Sequence, residues 1–264
     1  MRSRWIRGLI PALYLLLIYS FILLPVAVLM LFSFQASALP VPPFNGPSLR
    51  WYQELFADDR MISALWHSMI IGVISALIAT IIGFLAAYAL TRFRPRGSQI
   101  LRGLIMSPLG VSYLVIGFGL SISANQLALG KSLWMVIVGH VVVNMPLAFA
   151  IIMSQIKEED ISYEKAARDL GASEFMVISR VVIPILSPGL LAAFLLSFTL
   201  SWDEFIISLF LTRFDVTLPV EIWSALRTGL NPQTNAAGTL VFVISVVVLV
   251  SAYAFTRRRK GASR

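Results

Sequence analysis

Six apolar runs divide this chain from end to end, each with at least the ~20 residues a helix needs to cross the hydrocarbon of a bilayer. They fall at Gly8–Phe34, Ile62–Thr91, Ile100–Ser123, Ser132–Gln155, Ile185–Thr212 and Ala236–Thr256. Backbone inside lipid must satisfy its own hydrogen bonds, and runs of this length do so as helices. The expected architecture is an all-α membrane protein of six transmembrane helices, one domain over residues 1–264. Composition agrees: 58% of residues are hydrophobic and 13% charged, where a soluble globule has about a quarter charged. The first run is too long for the apolar core of a cleaved signal and lacks a clear small-residue cleavage site. It is expected to stay as an anchor.

A formal charge of +8 suggests nucleic acid until the basic residues are placed. Sixteen of the 21 lysines and arginines fall on one side of the runs: beside the first run, between the second and third, between the fourth and fifth, and at the C-terminus. Arg50, Arg60, Lys131, Arg213 and Arg227 fall on the other. This is the positive-inside pattern, so both termini are expected in the cytoplasm, and the basicity needs lipid around it but no nucleic acid. The chain has no cysteine and two histidines, which leaves no metal-ligand cluster. No serine, histidine and carboxylate sit in an arrangement that argues for nucleophilic catalysis. Asn125–Ser132 half-matches a phosphate-binding loop, but Asn125 replaces the first glycine, no strand precedes it and the topology puts it outside. The chain is expected to be no enzyme and to carry no nucleotide site of its own.

One polar insert, residues 156–184, holds six of the thirteen acidic residues. Ala166 and Ala167 followed by Gly171 read as a short helix closed by a glycine in the left-handed C′ conformation. Ser173 is placed to cap a second short helix, and Pro184 suits the first turn of the next membrane segment. The product is a small helix–turn–helix knob, most simply a handle for a soluble partner.

The loops carry further signals. Pro40, Pro42, Pro43 and Pro47 favour an extended path. Ser48 then caps a short amphipathic helix, Leu49–Ala57, which either lies at the membrane interface or packs as a loop helix. Small residues along the second run (Gly72, Ser75, Ala76, Ala79, Gly83, Ala86, Ala87) let helices approach closely, which implies a bundle. Pro108, Gly110, Gly117 and Gly119 in the third run and Pro146 in the fourth predict bends or local openings. Pro219 and Gly229 bracket a short external helix over Val220–Thr228.

Asp203 and Glu204 are the only acidic residues within any run. Carboxylates at such depth cost about 2.5–3.5 kcal/mol on insertion scales and usually face an aqueous cavity or a functional partner. Ser197, Ser201, Glu204 and Ser208 share one helical stripe, with Thr199 and Asp203 beside it. A lined path and a buried hydrogen-bond seam both fit that pattern. His140 and Asn144 share a face of the fourth run. Trp202, Phe205, Tyr113 and Trp223 lie near the acidic pair in sequence or depth, and carboxylates with aromatic faces suit a flexible organic cation.

The knob resembles the signature of inner-membrane permease subunits of ABC importers, Glu-Ala-Ala-x-x-x-Gly followed at a fixed gap by Ile-x-Leu-Pro. Ala166, Ala167, Gly171 and Pro184 match, with Val181 and Ile183 as conservative substitutes, whereas the motif's glutamate falls on Lys165 and Glu164 comes one place early. The segment Ser197–Glu204, His67-Ser68, Arg92-Phe93-Arg94, His140, Asp169–Glu174 and Asn231-Pro232 with Asn235-Ala236 are similar to spermidine/putrescine-type permeases. The resemblance implies the type I ABC importer permease fold with cytoplasmic coupling helices, in a bacterial cytoplasmic (inner) membrane. It implies a cytoplasmic ATPase dimer that hydrolyses the ATP, a second and different permease subunit, and an external or periplasmic solute-binding protein. Glu164, Lys165, Ala166, Ala167, Asp169, Gly171, Ser173 and Glu174 would couple to the ATPase. Asp203, Glu204, Ser201, Trp202, Ser208, His140, Asn144 and Tyr113 would line the substrate path.

Two alternatives stay open at this point: an ABC permease for another small amine or an aminophosphonate, and a stand-alone secondary transporter whose acidic pair couples protons or ions. The topology itself is testable. A reporter that functions only in the cytoplasm is expected to be active when fused after Arg264, and activity of an outside-only reporter there would reverse the orientation.

Overall fold

The computed structural model describes residues 2–157, 160–229 and 231–262, and side chains within 11–157, 160–229 and 231–251. Glu158, Glu159 and the terminal basic side chains used in the charge argument lie outside these. Described residues are mostly helical, with one isolated bridge between Gln35 and Pro47. Five helices are long and apolar enough to cross a membrane, and a sharply bent pair makes six if it is one span.

The chain forms two compact units. The first comprises residues 1–62 and 222–244. It contains α1 (Arg2–Phe32), the proline loop, α2 (Arg50–Ala57) and the start of α12 (Pro232–Ala262). Gln35 organises the loop. Its buried side-chain amide donates to the carbonyls of Val41 and Pro43, both at 3.1 Å, and its oxygen accepts from Asn45 N at 2.8 Å. Its own carbonyl accepts the Trp51 indole N–H at 2.6 Å. Trp51 and Leu55 are buried, so the amphipathic face of α2 is spent on packing. Ser48 Oγ accepts from Arg50 N at 3.2 Å, while Leu49 takes the N-cap position.

The second unit, 63–221 with 245–264, holds the rest. α3 (Asp59–Arg92) and α6 (Leu133–Gln155) are long unbroken spans. Between them the third run folds sharply: α4 (Ser98–Met106) and a 3₁₀ turn (Ser107–Gly110) meet α5 (Tyr113–Gln126) at 101°. Pro108 lacks the N–H that would continue the helix, so the expected bend becomes a break. Pro146 opens nothing comparable, and α6 runs through it.

The polar insert contains α7 (Asp160–Asp169) and α8 (Glu174–Val177). A π-helical turn, Ile178–Val182, carries α8 directly into α9 (Ile183–Trp202). The predicted boundary at Pro184 is therefore no boundary, and one continuous 29-residue helix runs from Glu174 to Trp202. Beyond a break come α10 (Ile206–Leu211) and α11 (Leu218–Thr228), the latter closed by Gly229 as the bracketing residues predict. His67 Nδ1 lies 3.2 Å from Val216 O, and Ser68 Oγ accepts from Leu218 N at 2.8 Å. The top of α3 thereby pins the start of α11.

The core follows from the small residues. Ser75, Ala76, Ala79 and Ala87 of α3 are completely buried. A Cβ on Gly83 would sit 2.8 Å from the backbone nitrogen of Phe149, so α3 and α6 touch backbone to backbone. Around this contact Phe84, Tyr88, Phe149, Ile152, Val182 and Leu186 form one apolar cluster. Gly83→Ala is expected to force these helices apart at a cost of about 1–3 kcal/mol, read as a lowered midpoint of thermal unfolding in detergent. Gly103→Ala, inside α4 where a Cβ meets open space, should not lower the midpoint.

Candidate functional site

α9 ends at Trp202 in the middle of the fifth apolar run. There Asp203 N bonds loosely to Thr199 O at 3.4 Å and Glu204 N to Ser201 O at 3.3 Å. A helix that stops and restarts leaves backbone N–H groups without partners, and lipid offers none. Glu204 supplies them. Its carboxylate accepts from Ile207 N at 3.0 Å and Ser208 N at 3.1 Å, two amides in the first turn of α10.

The same carboxylate is held from across the bundle. His140 Nε2 on α6 lies 3.3 Å from Glu204 Oε2 and 3.1 Å from Ser208 Oγ. His140 Nδ1 lies 2.5 Å from Ser201 Oγ, which in turn is 2.9 Å from Ser75 Oγ on α3. The imidazole bridges the two sides of the break: Nε2 donates toward the Glu204 carboxylate and Ser208 Oγ, and Nδ1 pairs with Ser201. α3, α6, α9 and α10 thus share one polar hub. Glu204 is only 6% exposed and His140 fully enclosed. One turn along α6, Asn144 donates to Ser197 O at 3.3 Å. Asn144 Oδ1, Ser197 Oγ and Trp202 Nε1 are buried with no hydrogen-bond partner among the described residues.

The sequence-predicted stripe divides at this break. Ser201, Glu204, Ser208, His140, Asn144 and Ser197 come together inside the bundle. Asp203, the neighbour of Glu204, is exposed. Trp202 is buried and stacks on Phe198, ring centroids 6.1 Å apart. Tyr113 is half-buried at the start of α5, against the cluster around Ile71 and Ile207. Ser75 was singled out in the sequence as a small packing residue, and its place in the hub was not read. The signal available was a hydroxyl among otherwise apolar small residues.

The knob forms as the sequence predicts. Gly171 has φ 83°, Gly171 N bonds to Arg168 O at 2.9 Å and Ala172 N to Ala167 O at 3.0 Å. These two bonds make a Schellman closure, and Ala167 and Ala172 both pack on the core cluster. Ser173 Oγ accepts from Met176 N at 3.4 Å, the expected cap. Arg168 forks onto Glu174 at 2.7 and 3.0 Å, and this bonding raises the guanidinium above its already high value. Lys165, Ala166 and Asp169 are exposed, whereas Glu164 is buried. Beside them stand the exposed rings of Tyr163 and Phe175, and Leu170 is 90% exposed. Apolar side chains on a polar knob, away from the apolar runs, mark a contact surface.

Residues 79–261 match the model of the family described as binding-protein-dependent transport system inner membrane component. The spermidine/putrescine transport system permease protein PotC of Escherichia coli (strain K12) is 31% identical over 247 residues, covering 92% of this chain and 93% of that protein. The putrescine transport system permease protein PotI of the same strain is 34% identical over 259 residues, covering 95% and 92%. Among solved structures, a bacterial alginate ABC transporter in complex with an alginate pentasaccharide-bound periplasmic protein contains a chain of the same fold. It aligns with a TM-score of 0.75 at 15% identity, over 97% of this chain and 96% of that one.

The division between the two carboxylates predicts unequal mutants. Glu204→Ala leaves two amides and His140 without their acceptor inside the bundle and is expected to cost about 2–5 kcal/mol. Asp203→Ala, on the exposed side, is expected to stay within about 0.5 kcal/mol. Unfolding of the purified chain in detergent measures both, and equal losses would contradict the division.

Proposed function

Because this chain belongs to the family of binding-protein-dependent transport system inner membrane components, and is a permease subunit of an ABC importer, we propose that its cargo is a polyamine of the spermidine/putrescine class. The observation that carries this reading is the exposed carboxylate of Asp203 at a helix break within an apolar run. A polyamine is a flexible chain of ammonium groups, each losing hydration as it crosses. A carboxylate at that depth offsets part of the loss. The identity to PotC and PotI over more than nine-tenths of the chain supports the same cargo.

In this reading the hub of Glu204, His140, Ser201, Ser208 and Ser75 builds the break, and Asp203 meets the passing cation. Asn144, Trp202 and Tyr113 shape the wall behind it. The knob is the docking element for a cytoplasmic ATPase dimer, with Tyr163, Leu170 and Phe175 entering the ATPase and Lys165 and Asp169 at the rim. A second, different permease subunit completes the path, and a periplasmic solute-binding protein delivers the cargo. Both termini and the knob face the cytoplasm of a bacterial inner membrane.

The test is uptake by the complex reconstituted with its ATPase, second permease and binding protein. Spermidine or putrescine is expected to stimulate ATP hydrolysis and to accumulate in the vesicles. Asp203→Asn should lower uptake about ten-fold, the equivalent of ~1.4 kcal/mol, while the ATPase still copurifies. Stimulation by an aminophosphonate with none by polyamines would replace the cargo, and unchanged uptake by Asp203→Asn would remove the role of Asp203.

A further inference from the structure

Glu164 is 1% exposed although it belongs to a polar helix outside the apolar runs. Its side chain turns from the outer face of the knob to the cytoplasmic end of α3. There it accepts from Tyr88 Oη at 3.1 Å and from Arg92 Nε at 2.7 Å, with Arg92 Nη2 at 2.5 Å. Arg92 also lies over the Tyr88 ring, 5.7 Å from its centroid. One turn further along α7, Arg168 brings Nη2 to 3.5 Å from the second carboxylate oxygen while it forks onto Glu174. A continuous line of charge-assisted bonds therefore runs from α3 through α7 to the first residue of α8. Asp160, Val182, Ile185 and Leu186 line the crevice around Arg92 and Glu164.

The covalent chain joins the knob to α9 through the π-helical turn, so force on the knob reaches the fifth run directly. It does not join the knob to α3, which leads into α4 instead. Apolar packing between Tyr88, Val177 and Val182 resists compression but prescribes no direction. A paired carboxylate and guanidinium fix both distance and orientation.

We propose that Glu164 is the positioning residue that ties the docking helix α7 to α3, so that displacement of the knob moves the second span together with the fifth. The proposal rests on the ABC-importer reading. It assigns Glu164 to transmission inside the subunit and leaves contact with the ATPase to the exposed side chains of the knob.

The experiment uses the reconstituted complex and reads three quantities: ATPase copurified per permease, ATP hydrolysed, and solute transported per ATP. Glu164→Gln keeps the shape and loses the charge. It is expected to retain copurified ATPase and hydrolysis while transport per ATP falls about ten-fold. Because that change strands the Arg92 charge, the paired variant Glu164→Gln with Arg92→Met is measured beside it. The pair is expected to recover the unfolding midpoint of the parent chain and to stay uncoupled. Recovery of transport per ATP in the paired variant would reduce Glu164 to a stability role and overturn the proposal. Loss of copurified ATPase from an otherwise assembled Glu164→Gln complex would overturn it too, by making Glu164 a docking contact. If the unsubstituted complex transports without ATP, the ABC-importer reading fails first, an outcome distinct from either.

Discussion

Lipid supplies no hydrogen bonds, and this single constraint decides where the chain can interrupt a helix. The fifth apolar run is interrupted at Asp203–Phe205. The interruption is sustained because the Glu204 carboxylate takes over the role that water plays at the start of a soluble helix. A buried carboxylate is itself expensive, and His140 offsets that cost from α6, with Ser201 and Ser75 extending the support to α3. Removing Glu204 leaves the Ile207 and Ser208 amides without their acceptor, and the remaining members tie the four helices together by polar contacts as well as by packing. The break leaves Asp203 exposed beside the buried Glu204, and the proposed cation path draws on that exposure.

The break and the knob are the two ends of one rod. From Glu174 to Trp202 the chain is helical for 29 residues, about 43 Å at the usual rise. No loop intervenes to absorb a displacement. The π-helical turn at Ile178–Val182 is the single irregularity among the named elements of that rod. The Schellman closure at Gly171 and the Arg168–Glu174 fork stiffen the knob end, and Glu164 bonds it to Tyr88 and Arg92 of α3. Small residues on α3 and α6 allow backbone contact at Gly83, with Phe84, Tyr88 and Phe149 packed around it.

Much of this was legible in the residues. The six apolar runs, the closing glycine of α7, the cap at Ser173 and the Pro219–Gly229 bracket each follow from a local rule, and local rules survive folding. Three features were not legible because they depend on distant partners. Hydropathy sees a continuous fifth run, since the residues at the break are only three long and the backbone cost of stopping there is met by His140, over sixty positions away. The stripe of Ser197, Ser201, Glu204 and Ser208 presumes an unbroken helix, yet its members converge because the restart at α10 places Ser208 beside the same imidazole. Glu164 looks like a solvated acid beside Lys165 until Tyr88 and Arg92 arrive from α3. Prolines were equally ambiguous: Pro108 with Gly110 breaks the third run, while Pro146 sits inside a helix that continues past it.

Adjacent carboxylates at one helix break differ in exposure, Glu204 buried in the bundle and Asp203 exposed, and the proposed function has Asp203 alone meet the cation. Since the chain contains no cysteine, single cysteines introduced as Asp203→Cys and Glu204→Cys can be probed in the assembled complex with a small cationic thiol reagent. The account predicts rapid labelling at 203, slowed by spermidine, and negligible labelling at 204. Labelling at 204 with a silent 203, or equal labelling insensitive to spermidine, would contradict it.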